Sequence, residues 1–292
     1  MSKVLAIINP ISGTGSKKSI PDLLARAYAP LEHELLLTYT KAAGHAEELA
    51  RRAAEEGYDH VIAVGGDGTV NEVARGLVGS KTALAIVPKG SGNGLARALG
   101  LSMSTDRVIK QLASGRRITI DSCQMNGQPF FCTCGMGFDA AVSRSFAEAS
   151  TRGPVTYLRT MIDEYRSFKP ETYRIILDEG ERTIETEAFV LVVANAPQYG
   201  NNAYIAPEAD LSDGMLDLAI IRPFPVLEAA LVLGDLMRGK LADNKYYHTE
   251  QVRHVRIERT SGGSVHLDGE PLVMSEHIDV SLRPQSLEVI IP

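Results

Sequence analysis

The first third of the chain alternates short apolar runs with segments of helical spacing. The runs are KVLAIIN (3–9), HELLLTYT (33–40), HVIAV (60–64) and ALAIVP (83–88). The first is a continuous apolar run, as expected for a strand covered on both faces, and the other three read as strands. Between them, helices are expected near 20–28, over 44–57, over 69–78 and from 93 to 100. The second places Ala46, Leu49, Ala50, Ala53 and Ala54 at helical spacing, with Gly57 where a C-terminal cap belongs. The third sets Val70, Val73, Ala74, Leu77 and Val78 on one stripe. Strand–helix alternation of this kind predicts a mostly parallel sheet with helices on both faces.

The pattern changes after Asp121. Period-two stretches and turn signals dominate, as in YRIILDEGERTIETEAFVLVVAN (173–195), with a hairpin near Asp178-Glu179-Gly180, and VRHVRIERTSGGSVHLDGE (252–270), with a turn at Ser261-Gly262-Gly263. These predict a second, mostly antiparallel β domain, interrupted by helices near 138–149, 155–167 and 225–239. A length of 292 residues is comfortable for two cores. The expected division is 1–122 and 123–283, with 284–292 a candidate to return to the first domain.

Composition narrows the function classes. Apolar content of 44% and charged content of 23% fit a globular protein. A net charge of −6 without a basic block argues against nucleic acid. No apolar run reaches the roughly 18 residues of a membrane span, and MSKVLAIINP lacks the features of a signal peptide, so a cytoplasmic protein is expected. Cys132 and Cys134, two apart, would share one face of a strand; with Cys123 they read as buried free thiols rather than a zinc site. The seven histidines form no metal-ligand pattern.

The chemistry concentrates in loops. In VGGDGTVNEV (64–73) three glycines and a carboxylate separate a strand from a helix. Glycines let the backbone turn sharply and bare its N–H groups, and the helix N-terminus adds partial positive charge, which makes an anion site. A tight turn with no ligand is the plainer alternative. Asp67 favours the site, because a carboxylate beside phosphate calls for a metal ion or ribose hydroxyl between them. PKGSGNGLAR (88–97) and NPISGTG (9–15) also follow strands. In a parallel sheet the three loops share the edge where open α/β folds bind ligands. GTGSKKS (13–19) lacks P-loop spacing, and GSGNG (90–94) lacks the third glycine of a dinucleotide fingerprint.

Taken in order, NPISGTG, GGDGTVNEV, PKGSGNGLAR, DGMLD and LDGE resemble the diacylglycerol kinase catalytic-domain family, and more closely its bacterial soluble lipid kinases, in a superfamily that includes NAD kinases. The resemblance implies an NAD-kinase- or phosphofructokinase-like α/β domain that binds ATP and a β-sandwich domain that binds lipid. Carried over, the ATP positions are Asn9, Pro10, Ile11, Ser12, Gly13, Thr40, Gly65, Gly66, Asp67, Gly68, Thr69, Val70, Asn71 and Ser91, with Glu72 supporting them. A structural Mg2+ would take a side-chain oxygen of Asp213 and the carbonyls of Asp210 and Met215, with Asp121 and Asp217 joining through water. Glu270 would accept the proton of a lipid hydroxyl, with Asp268 the alternative base or helper. An Asp-Gly turn with no ligand is the plainer reading of each of these two segments. Ser91 and Asn93-Gly94-Leu95 depart from the Thr and Asn-Asp-Phe of many diacylglycerol kinases and lean toward a sphingosine-kinase-like pattern. The implied activity is transfer of phosphate from ATP to a lipid alcohol, diacylglycerol or a sphingoid-type lipid. NAD kinase and a nucleotide-binding regulator without turnover are the alternatives.

The helix over 225–239 is apolar over most of its circumference and is expected to pack on the β domain, with a membrane interface the alternative. Tyr246 and Tyr247 are read either as the rim of a lipid site or as strand residues. A transient contact with the membrane surface and a homodimer are both compatible with the sequence, which leaves the acceptor lipid open.

Overall fold

A computed structural model describes residues 3–13, 17–31, 33–149 and 154–292. Thr14 and Gly15 of the first glycine loop, and Ser16 beyond it, lie outside the described residues. The chain divides into two units, 1–122 with 284–292, and 123–283.

In the first unit strands and helices alternate: β1 (Lys3–Ile8), α1 (Ile20–Tyr28), β2 (Glu34–Tyr39), α2 (His45–Glu55), β3 (His60–Gly65), α3 (Asp67–Leu77), β4 (Ala83–Pro88), α4 (Gly94–Ala98), α5 (Thr105–Ala113) and β5 (Arg116–Met125), the last running on into the second unit. The parallel order is β2-β1-β3-β4. β1 therefore has β2 on one side and β3 on the other, which puts the reversal of strand order at β1. β3 and β4 are buried at every position, as their unbroken apolar runs require. Helices α2 and α3 approach through Gly76. A Cβ there would lie 2.6 Å from the Glu47 carbonyl oxygen and 2.9 Å from the Arg51 nitrogen.

The second unit contains β6 (Gln128–Phe130), β7 (Thr133–Gly137), α6 (Phe138–Glu148), α7 (Pro154–Ser167), β8 (Glu171–Leu177), β9 (Arg182–Ala188), β10 (Val190–Ala194), β11 (Leu216–Ile221), α8 (Ala229–Arg238), β12 (Tyr247–Val252), β13 (His254–Arg259), β14 (Gly263–Leu267), β15 (Glu270–Met274) and most of β16 (His277–Ile291). The end of β16 belongs to the first unit, where Val289 pairs in parallel with Leu84 of β4. One antiparallel sheet has the order β16-β13-β8-β9, and the other β12-β11-β10-β7-β14-β15. Met125, Phe130, Met136, Ile175, Leu191 and Ile257 fill the core that the two sheets share.

β10 shows why its sequence is apolar throughout. Leu191 and Val193 face the shared core, while Val190, Val192 and Ala194 face a second cluster under Phe138, Val142 and Val232 of the helices. α8 packs there by Val232 and Leu236, whereas Leu227 and Leu231 stay exposed. Cys123, Cys132 and Cys134 are buried and in no disulfide, but Cys132 precedes β7, so the strand-face reading does not apply to it.

The expected turn at Ser261-Gly262-Gly263 is present. It joins strands of different sheets, β13 and β14. Arg259 makes the passage: its guanidinium donates to the carbonyls of Gly263 (2.9 Å), Met274 (2.8 Å) and Ser275 (3.1 Å). Period-two patterning marks a strand without saying which sheet it joins.

Gly76→Ala tests the helix contact. Helix propensity favours alanine by about 1 kcal/mol, but its methyl meets the α2 backbone, which yields little, and overpacking costs about 1–3 kcal/mol. Urea denaturation should show a net loss of about 1 kcal/mol. Equal or greater stability would contradict this packing.

Candidate functional site

Three loops leave the C-terminal ends of β1, β3 and β4, and each is held against another by a glycine. A Cβ on Gly13 (φ +67°) would lie 1.7 Å from the Lys89 carbonyl oxygen. One on Gly90 would lie 2.8 Å from Gly66 Cα, and one on Gly65 would lie 2.4 Å from Thr69 Cβ. Close backbone approach therefore demands Gly13 and Gly90, and the Thr69 side chain demands Gly65, beyond any need for a flexible turn. Asn9 ties the first loop to the second: its N–H donates to the Val64 carbonyl (3.0 Å) and its Nδ2 to Thr69 Oγ1 (2.9 Å).

Asp67 joins the second loop to the third. Its Oδ2 accepts from the Asn93 N–H (2.9 Å) and its Oδ1 from the Gly94 N–H (2.8 Å), so it caps α4. The position of this carboxylate is thus accounted for without a metal or ribose hydroxyl beside it. Asn93, at φ 53°, closes its own loop by bonding the Gly90 N–H (2.9 Å) and carbonyl (2.8 Å). Glu72 points away to cap another helix, accepting from Ala46 N–H at the start of α2 (3.0 Å).

These clamps fix the mouth of α3. Helix geometry gives the N–H groups of Asp67, Gly68 and Thr69 no acceptor within the helix, and the macrodipole makes that end positive. Gly68 is exposed, with open space where a Cβ would stand. Pro10, Ile11 and Ser91 are exposed on the loops, Ser12 donates to the Asn9 carbonyl (3.3 Å), and Val70 and Asn71 are buried in α3. Thr40 follows β2 at the same edge, its N–H on the Ile8 carbonyl (3.0 Å). Lys17 adds a cation that sequence reasoning passed over. It bonds the Ser12 carbonyl, and burial together with the Lys89 charge pushes it below the usual lysine value. Lys17 and Lys89, close enough for the charge of Lys89 to lower Lys17, suit an anion. The SKKS segment gave a signal for it, dismissed with the failed P-loop.

In the second unit Asp268 and Gly269 form the two-residue turn between β14 and β15, both at positive φ (49° and 83°). The Asp268 carboxylate accepts three backbone N–H groups, from Phe131 (2.9 Å), Cys132 (2.7 Å) and Thr133 (3.0 Å). Asp268, expected as an alternative base or helper, has both carboxylate oxygens on these donors and so holds the turn. Glu270, the next residue after Gly269, is exposed.

The expected metal residues fall in two places. Asp121 is in the first unit, fully buried, its Oδ1 accepting from the Gln285 N–H (2.7 Å). The other four lie in the second unit. Asp210 accepts from Ser212 N–H (2.9 Å), and Asp213 accepts from Met215 N–H (2.9 Å) and Gln251 Nε2 (3.3 Å). Burial first, then the charges of Asp213 and Glu208, push the Asp217 carboxyl up to about 6. Among the described residues no three His, Cys, Asp or Glu side chains gather into a metal-binding group. A hard-oxygen set in which neighbouring carboxylates raise Asp217 nonetheless fits a cation.

Residues 3–125 match the family model described as the diacylglycerol kinase catalytic domain, and residues 132–291 match the YegS C-terminal NAD kinase beta sandwich-like domain. A probable YegS-like lipid kinase of Chromohalobacter salexigens is 30% identical over 267 residues, covering 89% of this chain and 85% of that protein. The chain belongs to the diacylglycerol kinase-like lipid kinase family. The resemblance carried by the five motifs therefore holds. A diacylglycerol kinase of Bacillus subtilis is 28% identical over 280 residues, 92% of this chain and 90% of that one. The solved structure of a putative diacylglycerol kinase from Bacillus anthracis str. Sterne superposes with a TM-score of 0.80 at 25% identity, covering 100% of this chain and 98% of that one. The α/β unit with a β-sandwich is the architecture of this family, and kinase homologues make the chain a phosphotransferase by descent.

Asp217 yields a pH prediction. Its folded pKa, about 6, stands above the ordinary 3.8, so its ionised form is disfavoured in the fold. The stability it contributes is fully present below 3.8 and is lost as pH rises through about 6. Asp217→Asn should flatten the fall in stability across that window relative to wild type, in denaturant melts without divalent cation. Identical pH slopes would contradict the burial and charge environment described.

Proposed function

We propose that this chain is an ATP- and Mg2+-dependent kinase that phosphorylates the hydroxyl of a lipid alcohol. The observation that supports it most is the stacking of three glycine loops at the end of α3, with Lys17 and Lys89 beside them. That end would hold the triphosphate through the N–H groups of Asp67, Gly68 and Thr69. Asp67 would act on the nucleotide indirectly, by keeping the second and third loops in register. Asp213, with the carbonyls of Asp210 and Met215, would hold Mg2+. The ion, when bound, would neutralise local carboxylate charge and steady this turn. Glu270 would take the hydroxyl proton on a carboxylate oxygen, while phosphoryl transfer asks otherwise for alignment and charge neutralisation.

The acceptor would be reached at a lipid surface. No helix among the described residues is long and apolar enough to cross a membrane. The segment leading into α8 exposes Val226 (63%) and Leu227 (89%), and α8 itself exposes Leu231 (64%), with Arg222, Arg238 and Lys240 also exposed. Apolar side chains among cations suit an anionic interface.

Labelled ATP incubated with vesicles carrying diacylglycerol or a sphingoid base, and in parallel with NAD, tests the reading. Label should pass to lipid, and Glu270→Gln should lower turnover by about 10²- to 10⁴-fold with ATP affinity unchanged. Label in NAD, or ATP binding without product, would overturn it. Leu227→Glu with Leu231→Glu should weaken sedimentation with anionic vesicles while sparing turnover on detergent-dispersed lipid. Unchanged sedimentation would remove α8 from the interface.

A further inference from the structure

Beneath the turn that carries Glu270 runs a line of polar side chains used by none of the nucleotide, metal or membrane readings. His266, on β14, is 1% exposed. Its Nε2 lies 2.8 Å from Asp139 Oδ2 in the first turn of α6, and the Tyr199 hydroxyl donates to the same oxygen at 2.9 Å. On the other side of the ring, Nδ1 accepts from the Gly269 N–H at 3.4 Å. One neutral tautomer satisfies both contacts: Nε2–H donates to the carboxylate, and Nδ1 keeps its lone pair for Gly269.

The surroundings are shaped for this pair. Gly135 of β7 lies directly across from His266. A Cβ there would be 2.4 Å from Asp139 Oδ2 and 2.5 Å from His266 Nε2. Any side chain at Gly135 would displace the pair. Asp139 is oriented in turn by the Ala140 N–H (2.8 Å) on its Oδ1. A buried histidine and carboxylate are costly to place in a sheet unless each is paired, as they are here.

The consequence lies in the turn. Asp268 and Gly269 both hold left-handed backbone. Asp268 is fixed by three backbone donors, and Gly269 by His266. Glu270 leaves the turn one residue later, so the direction of its Cα–Cβ bond follows from the Gly269 peptide. We propose that His266, oriented by Asp139 and Tyr199, is a positioning residue that sets Glu270 for proton transfer by holding the Gly269 N–H. This rests on Glu270 being the base.

Side-chain amides separate the two contacts of the ring. Asparagine can offer an acceptor near the place of Nδ1 and loses Asp139; glutamine can offer a donor near the place of Nε2 and loses Gly269. His266→Ala should lower kcat by about 10- to 100-fold while KM for ATP and for lipid stays within about twofold. His266→Asn should recover most of that loss, and His266→Gln should not. Rescue by glutamine equal to that by asparagine, or full kcat in His266→Ala, overturns the proposal. Should the variants fold poorly, nitrogen-15 histidine spectra of the intact wild-type chain decide: the Nε2–H tautomer at neutral pH is expected, and Nδ1–H or imidazolium overturns it. Turnover retained in Glu270→Gln overturns the base assignment and this proposal with it. Turnover lost in Glu270→Gln but kept in His266→Ala overturns this proposal alone.

Discussion

The first unit depends on backbone meeting backbone where three strands end. Gly66 and Gly90 approach until neither tolerates a methyl without movement, and Gly13 lies against the Lys89 carbonyl. Such contact brings no side-chain burial of its own. It is held by polar clamps instead, Asp67 on the N-terminus of α4 and Asn9 on Thr69. The carboxylate is held by two backbone donors, and charge-assisted bonds of this kind are stronger than neutral ones. What the contacts leave bare is the positive end of α3, beside the reversal of strand order at β1, where open parallel sheets bind ligands.

The second unit solves a similar problem with a different device. A two-residue turn at positive φ is flexible by itself, yet here the Asp268 carboxylate takes three backbone N–H groups and His266 holds the following peptide. The side chain that follows can then be both exposed and oriented, which a proton acceptor for an incoming substrate needs. In both units an aspartate beside a glycine bonds backbone N–H groups of a neighbouring segment.

Much of this was legible in the sequence. Continuous apolar runs gave β1, β3 and β4, and the glycine loops marked the ends that matter. Five ordered motifs pointed to the family that the comparisons show. The sequence could not say what the carboxylates do. Asp67 and Glu72 look like ligands in GGDGTVNEV, but their partners, Gly94 and Ala46, lie 27 and 26 residues away and belong to other helices. Asp268 read as a second base because its donors lie more than 130 residues upstream. His266 gave no motif at all, since its partner Asp139 comes from α6 and the space for both comes from a missing side chain at Gly135. The passage of β13 to β14 between sheets was hidden for a related reason: alternation is a property of one strand, and sheet membership depends on its neighbours.

The central claim is that the bared N–H groups at the mouth of α3, framed by the stacked glycines, hold the phosphates of a nucleotide. Amide spectra of the nitrogen-15-labelled full chain, titrated with ATP and Mg2+, address it directly. The account predicts saturable shifts centred on Gly66, Asp67, Gly68 and Thr69, with Gly90 and Ser91 moving alongside them. Saturable binding that leaves those amides in place, or no binding up to millimolar nucleotide, would contradict it.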